Sequence, residues 1–202
     1  MKKESMDIIT EYLGVEPIEI NSNLVSAQNR KRLYWTNIPV EGLPFDKGIM
    51  LKDILEPVEQ IDDAYYYSDK SIAYMERGND KWQQAGDRRA DRYTQTPDTK
   101  KAFTITANFH KGVPYNYFDD VRDKSKCVRS GGRGSYDRHE WDSVDTQHIR
   151  KLTVTECERL QTVPDGYTCG VSNTQRYKML GNGWTVDVVK HIFEGLTEKE
   201  TA

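Results

Sequence analysis

The stretch Arg150-RKLTVTECERLQTVPDGYT-Thr168 decides how the rest of the chain is read. Thr153 and Glu156 stand in T-x-x-E spacing, where each side chain satisfies a backbone N–H near the other, so a helix starts here. Leu152 and Cys157 are placed to staple its entry, and Pro164 with Asp165-Gly166 forces a turn at its end. Toward the C-terminus a second helix is expected after Leu180-LGNGW-Trp184. There Val189, Ile192, Phe193 and Leu196 fall at i, i+3, i+4 and i+7, an apolar face that must be buried. Toward the N-terminus Ile9, Tyr12 and Leu13 predict a helical face stopped by Gly14. Pro17–Ile20 reads as a short strand, residues 21–23 (Asn-Ser-Asn) break it, and Arg32–Ile38 reads as a second strand ended by Pro39. Residues 40–148 show little periodicity. Asp62–Met75 predicts a short helix, and Lys101–Phe109 a strand with Phe103, Ile105 and Ala107 on one face. No segment repeats.

The chain has 202 residues, enough for one ordinary domain or two small ones. It is rich in charge and tyrosine, with a mean hydropathy of -0.81, polar for a self-sufficient domain but not polar enough for disorder. No apolar run approaches the roughly 18 residues of a membrane span, and the N-terminus has no apolar signal core, so a cytoplasmic protein is expected. Three cysteines at unmatched spacings fit reduced thiols, and four histidines form no ligand pair, so no metal is expected. The net charge of -3 hides an asymmetry: between Lys81 and Arg138 there are 13 Lys/Arg against 7 Asp/Glu. A basic middle in an acidic chain points to a polyanion, though a solvated surface gives the same composition. Within it, Arg129-RSGGRGSYDR-Arg138 is a glycine-rich loop interrupted by arginines. It suits close approach to phosphate or guanine, or equally an unliganded surface loop.

Three segments, in this order, resemble the C-terminal half of the cytosine-5 DNA methyltransferase family. SAQNRKRLYW resembles its motif VIII, Q-x-R-x-R, through Gln28, Arg30 and Arg32. The opening stretch resembles motif IX through Arg150, Leu152, Thr153, Glu156, Arg159, Leu160, Gln161, Pro164 and Asp165. QRYKMLGNGWTVDVVKHI resembles motif X through Gln175, Gly181 and Asn182. The resemblance implies an α/β chain carrying part of the S-adenosylmethionine-dependent, Rossmann-like methyltransferase fold: an edge β-strand pair and a C-terminal helix, plus a small, irregular, mostly-β target-recognition domain. It divides the chain into residues 1–39 (catalytic-domain strands), 40–148 (recognition domain) and 149–202 (recognition-domain base and returning helix).

Enzymes of this family flip cytosine out of double-stranded DNA. A cysteine thiolate attacks carbon 6, a glutamate supports the ring nitrogen, and S-adenosylmethionine donates the methyl group. By motif position Arg32 would stabilise charge on the pyrimidine oxygen, with Arg30 and Gln28 holding the catalytic loop and DNA backbone. Two arginines two apart on a strand share a face. Asn182, Gly183 and Trp184 would approach the cofactor. GNGWTV departs from the commoner pattern and is closer to the mammalian de novo enzymes; the indole stacks on adenine or fills core. Thr153, Glu156 and Arg159 are expected to be structural, the last two tying motif IX to the base of the recognition domain. Arg129, Arg133, Arg138, Asn108 and Lys111 are candidate DNA contacts.

The family's Pro-Cys-Gln nucleophile, its Glu-Asn-Val motif and its glycine-rich cofactor loop are absent from this sequence. The chain starts about where the family continues after Glu-Asn-Val. A recognition half is therefore expected, inactive without a complementing N-terminal half. The apolar faces around Ile9 and Val189 would lack their usual cover and need that partner, a homodimer or rearranged packing. The alternatives are a non-enzymatic DNA-binding remnant and a truncated product of prophage or restriction–modification origin.

Overall fold

The computed structural model describes residues 2–68, 70–74, 77, 95–96, 98–111, 118–120 and 149–197. Helix α1 (Lys3–Leu13) ends at Gly14, whose φ of 67° closes the helix in the left-handed region where glycine carries no Cβ penalty. Strands β1 (Pro17–Asn21) and β2 (Lys31–Trp35) pair antiparallel, Ile20 opposite Arg32. The second strand is shorter than its sequence predicts, ending at Trp35. Between the two strands a 3₁₀ turn, Ser22–Leu24, is capped by the Asn21 side chain.

Through the described part of 40–148 the backbone is mostly irregular. The expected helix over Asp62–Met75 divides into a 3₁₀ turn at Asp63–Tyr65 and a helical segment at 70–74. The expected strand at Lys101–Phe109 is not one. It touches Gln28 through a single bridge at Ala102, then turns into a 3₁₀ helix at Phe109–Lys111. Ala102, Ile105 and Phe109 are buried rather than an alternating set, because the segment bends over the core. Strand β3 (Phe118–Asp119) pairs with β4 (Ile149–Arg150), and residues 65–67 run along the other side of β4.

Helix α2 (Val154–Leu160) carries the expected capping box. Glu156 N donates to Thr153 Oγ1 at 3.1 Å, and Thr153 N to Glu156 Oε2 at 2.8 Å. The helix stops at Gln161, short of Pro164, because Thr162 enters the left-handed region (φ 56°). That conformation is uncommon for a β-branched residue. Its hydroxyl is thereby placed to accept from Asp187 N at 2.9 Å at the start of the last helix.

Helix α3 (Asn173–Asn182) has no counterpart in the sequence reading. Helix α4 (Val186–Thr197) is the expected C-terminal helix, turned from the expected face. Thr185, Val188 and Ile192 point inward and Gly195 meets Pro39, whereas Phe193 and Leu196 stay exposed.

Two cores result. The larger gathers α2, Tyr177 and Leu180 of α3, and Ala27, Leu51, Ile54, Ala102, Ile105 and Phe109. Leu152 and Cys157 both lie in it, as the staple predicts. The smaller joins Ile20 and Val25 of the hairpin region to Val188 and Ile192 of α4. Each buried aliphatic side chain contributes about 1.5–3 kcal/mol. Helix α1 buries no residue; its Tyr12 is 91% exposed. No helix among the described residues is long and apolar enough to cross a membrane.

Candidate functional site

The three motif segments meet in one buried seam. The Gln28 amide donates to Leu160 O (2.7 Å) and Gln161 Oε1 (3.2 Å), and its oxygen accepts from Ile105 N (3.2 Å). Gln161 donates to Leu180 O at 2.5 Å and accepts from the Thr185 hydroxyl at 3.0 Å. Thr185 in turn accepts from Ser22 Oγ at 2.8 Å. Buried amides and hydroxyls cost free energy unless paired, so this chain of bonds fixes one arrangement of all three segments.

Arg30 belongs to the seam, not to an open strand face. Its side chain leaves just before β2 and is 3% exposed. Nη1 donates to Ile105 O (2.6 Å), and Nη2 to Gly181 O (3.0 Å) and Gly183 O (2.8 Å); Nε is buried without a partner. Burial and the neighbouring Arg32 charge lower its pKa to about 10, opposed by Tyr34. Arg32, by contrast, is exposed on β2 and donates to Lys31 O at 2.9 Å. The expectation that Arg30 and Arg32 share a face is therefore corrected. The strand begins at Lys31, so its alternation does not reach back to Arg30.

Gln28 is buried with Arg30 in the seam. Arg30 grips the carbonyls on either side of Asn182, leaving Asn182 exposed and the Trp184 indole 64% exposed. Arg32 and Trp184 line one concavity of about 340 Å³, together with Tyr34, Trp35 and Phe193. A second, apolar concavity of about 300 Å³ lies across Trp184 and is lined by Val163, Tyr167, Met179 and Val186. An exposed indole beside a cavity of this size leaves room for a flat aromatic ligand.

The motif IX residues Arg150, Thr153, Glu156 and Arg159 lie away from both concavities and are held in polar contacts with the rest of the chain. Arg150 is fully buried: Nε donates to Asp120 Oδ2, and Nη1 and Nη2 to the two Glu156 oxygens, each at 2.8 Å. Its guanidinium also lies 5.0 Å from the centre of the Phe118 ring. Burial alone would lower its pKa, but Glu156 and Asp120 raise it above the already high arginine value. The expected ties to residues 40–148 are present. Glu156 accepts from Glu56 N at 3.1 Å, Arg159 donates to Ile54 O at 2.9 Å, and the Thr153 hydroxyl bonds Glu56.

Glu158, not singled out by the sequence, anchors the loop after α2. It accepts from Gly166 N, Thr168 N, the Thr168 hydroxyl and Arg176. Burial pushes its carboxyl up, but these donors outweigh burial and hold it below its ordinary value. Its contribution to stability is then present above the ordinary glutamate pKa and lost as pH falls through the depressed one. Glu158→Gln is expected to cost about 1–3 kcal/mol at pH 7. The gap from the parent should shrink on acidification below about pH 4. Urea titrations across that range check this; a gap independent of pH would contradict it.

Asn108 and Lys111 are exposed on the turn packed against α3, where Phe109 and Tyr177 have ring centres 6.0 Å apart. Arg129, Arg133 and Arg138 lie outside the described residues. Gln161, Thr185 and Gly181 were missed as the pieces that join the motifs. Only the presence of Gln161 and Gly181 within the motifs pointed to them.

Comparison with known proteins places this geometry. The family model for C-5 cytosine-specific DNA methylase matches residues 22–198. A type II methyltransferase, M.HpaII of Haemophilus parainfluenzae, is 27% identical over 209 residues, covering 98% of this chain and 55% of that protein. An orphan methyltransferase of Bacillus phage SPbeta, M.SPBetaI, is 45% identical over 53 residues, 24% of this chain and 12% of that protein. Among solved structures, the Entamoeba histolytica methyltransferase EhMeth aligns with a TM-score of 0.59 at 16% identity, over 96% of this chain and 58% of that one. The S. pombe Dnmt2 methyltransferase gives 0.58 at 18% identity, over 98% and 62%. The chain spans about half the length of the curated relative that it matches end to end.

Proposed function

Because the chain belongs to the C-5 cytosine-specific DNA methylase family, we propose that it is the DNA-recognition half of a cytosine-5 DNA methyltransferase and methylates only with a catalytic half. The observation that carries this is the shared concavity of Arg32 and Trp184. By motif position one residue would be the family's charge-stabilising arginine and the other would lie on its cofactor side. In this reading S-adenosylmethionine supplies the methyl group. Arg32 presents fixed N–H donors toward the oxygen of a flipped cytosine, where charge builds as a thiolate adds to the ring. Arg30 does not touch the reaction. Its guanidinium pins the Gly181 and Gly183 carbonyls and so holds Trp184 beside Arg32. The cysteine and the glycine-rich loop come from the catalytic half. Double-stranded DNA is the substrate, contacted by the basic segment between Lys81 and Arg138.

The test is tritium transfer from labelled S-adenosylmethionine to mixed-sequence DNA. The chain alone is expected to incorporate nothing, and the chain with a family catalytic half to incorporate label. Arg32→Ala is expected to lower the rate of the mixture roughly 10²–10³-fold, the usual cost of one donor aimed at developing charge. Incorporation by the chain alone, or silence from halves that associate, overturns the proposal.

A further inference from the structure

Glu158 is fully buried and gathers donors from the loop after α2 and from α3. Oε2 accepts from Gly166 N at 2.6 Å, and Oε1 from Thr168 N at 2.8 Å. Arg176 of α3 closes the group, donating to Glu158 Oε1 and to the Thr168 hydroxyl, each at 2.9 Å. The residue between the two held N–H groups is Tyr167, which is 67% exposed. Burying a carboxylate carries a desolvation cost, and a loop that only connects two helices can take many shapes without one. Here the carboxylate leaves the loop one shape and holds its aromatic residue outward.

Trp184 is presented in a similar way. Arg30 holds the Gly181 and Gly183 carbonyls just before it. Tyr167 and Trp184 line the same apolar concavity of about 300 Å³. No charged side chain lines it, and besides the two aromatic residues its polar side chains are Gln161 and Thr168, both already bonded within the protein. Selection between ligands there rests on shape and on the faces of the two rings. We propose that Glu158 is a positioning residue: through Gly166 and Thr168 it sets where the Tyr167 ring stands relative to the Trp184 indole, and so which flat aromatic group the concavity admits. The choice of ligand rests on the proposed function, in which S-adenosylmethionine approaches Trp184; the geometry does not.

The experiment has two readouts. The full chain is labelled with 5-fluorotryptophan, and the Trp184 fluorine resonance is identified by its loss in Trp184→Phe. Glu158→Gln sets an amide NH2 against the loop's donors and is expected to move that resonance. Thr153→Ala, which weakens the α2 cap away from this loop, should not. In the tritium-transfer mixture Glu158→Gln is expected to raise KM for S-adenosylmethionine roughly 5–10-fold, the scale of one lost aromatic contact, with kcat kept within about twofold. Tyr167→Ala, at an exposed position, should do the same, and the double variant should add nothing further, because Glu158 acts through Tyr167. Circular dichroism verifies each fold; if Glu158→Gln does not fold, Tyr167→Ala decides on both readouts. An unmoved Trp184 resonance, KM effects that add in the double variant, or kcat and KM changing together would each overturn the proposal. A parent mixture that stays silent while the resonance moves removes the proposed function and leaves the positioning. Transfer with an unmoved resonance does the reverse.

Discussion

Arg150→Met is expected to destabilise the chain by about 3–5 kcal/mol, the cost of breaking a buried ion pair from one side. Arg150 serves two carboxylates at once, and Glu156 receives its guanidinium through both oxygens. Removing the cation takes away the guanidinium charge that the buried Glu156 and Asp120 carboxylates both face. Glu156 also accepts from Thr153 N and Glu56 N, so the loss reaches the α2 cap and the chain at residue 56. Arg150→Lys should recover only part, because one ammonium cannot reproduce the planar fork. Urea unfolding measures both variants. A loss below about 1 kcal/mol for Arg150→Met would mean that the carboxylates re-solvate freely, contrary to their burial.

The second large effect is steric. A Cβ on Gly181 would lie 2.3 Å from the carbonyl carbon and oxygen of Thr106 and 2.5 Å from Ala107 N. On Gly195 it would lie 1.8 Å from Pro39 O. The obstacle is backbone in both cases, so no rotamer relieves it. Gly181→Ala and Gly195→Ala are each expected to cost at least about 1–3 kcal/mol, the usual range for an overpacked core. They should differ in kind. Gly181→Ala separates α3 from residues 106–107 and disturbs the carbonyl held by Arg30, so it should also perturb Trp184 fluorescence. Gly195→Ala loosens α4 from the loop after β2. Denaturation midpoints compare the costs, and unchanged midpoints for both would contradict the close approach.

What the sequence revealed was mostly local. The capping box of Thr153 and Glu156, the Gly14 stop and the two short strands each depend on residues a few positions apart. The miss at Lys101–Phe109 has a plain cause: alternation over nine residues looks like a strand, but Ala102, Ile105 and Phe109 are the residues the core takes. Helix α3 was invisible because Asn173–Asn182 is polar; its contribution is Tyr177, Leu180 and the bare backbone at Gly181. At the candidate site the expectation that Arg30 and Arg32 share a strand face is not met. Arg32 and Trp184 do line one concavity, whereas Arg30 turns inward to three carbonyls. No spacing rule announces that, since its partners lie 75 to 153 positions away.

Those separations carry over to how the chain is made. Ser22 waits for Thr185, Gln28 for Leu160, and Arg30 for Gly183, across 132 to 163 positions. The hairpin is translated early, yet the last of its polar partners, Gly181, Gly183 and Thr185, come only at the end of α3 and beyond. Closing loops of that length must precede any reward from the seam, which places this chain among slow, late-closing folders. During synthesis Ile20 and Val25 stand open until α4 arrives. A nascent chain arrested before residue 185 should accordingly hold a molecular chaperone, and one released past residue 197 should let it go.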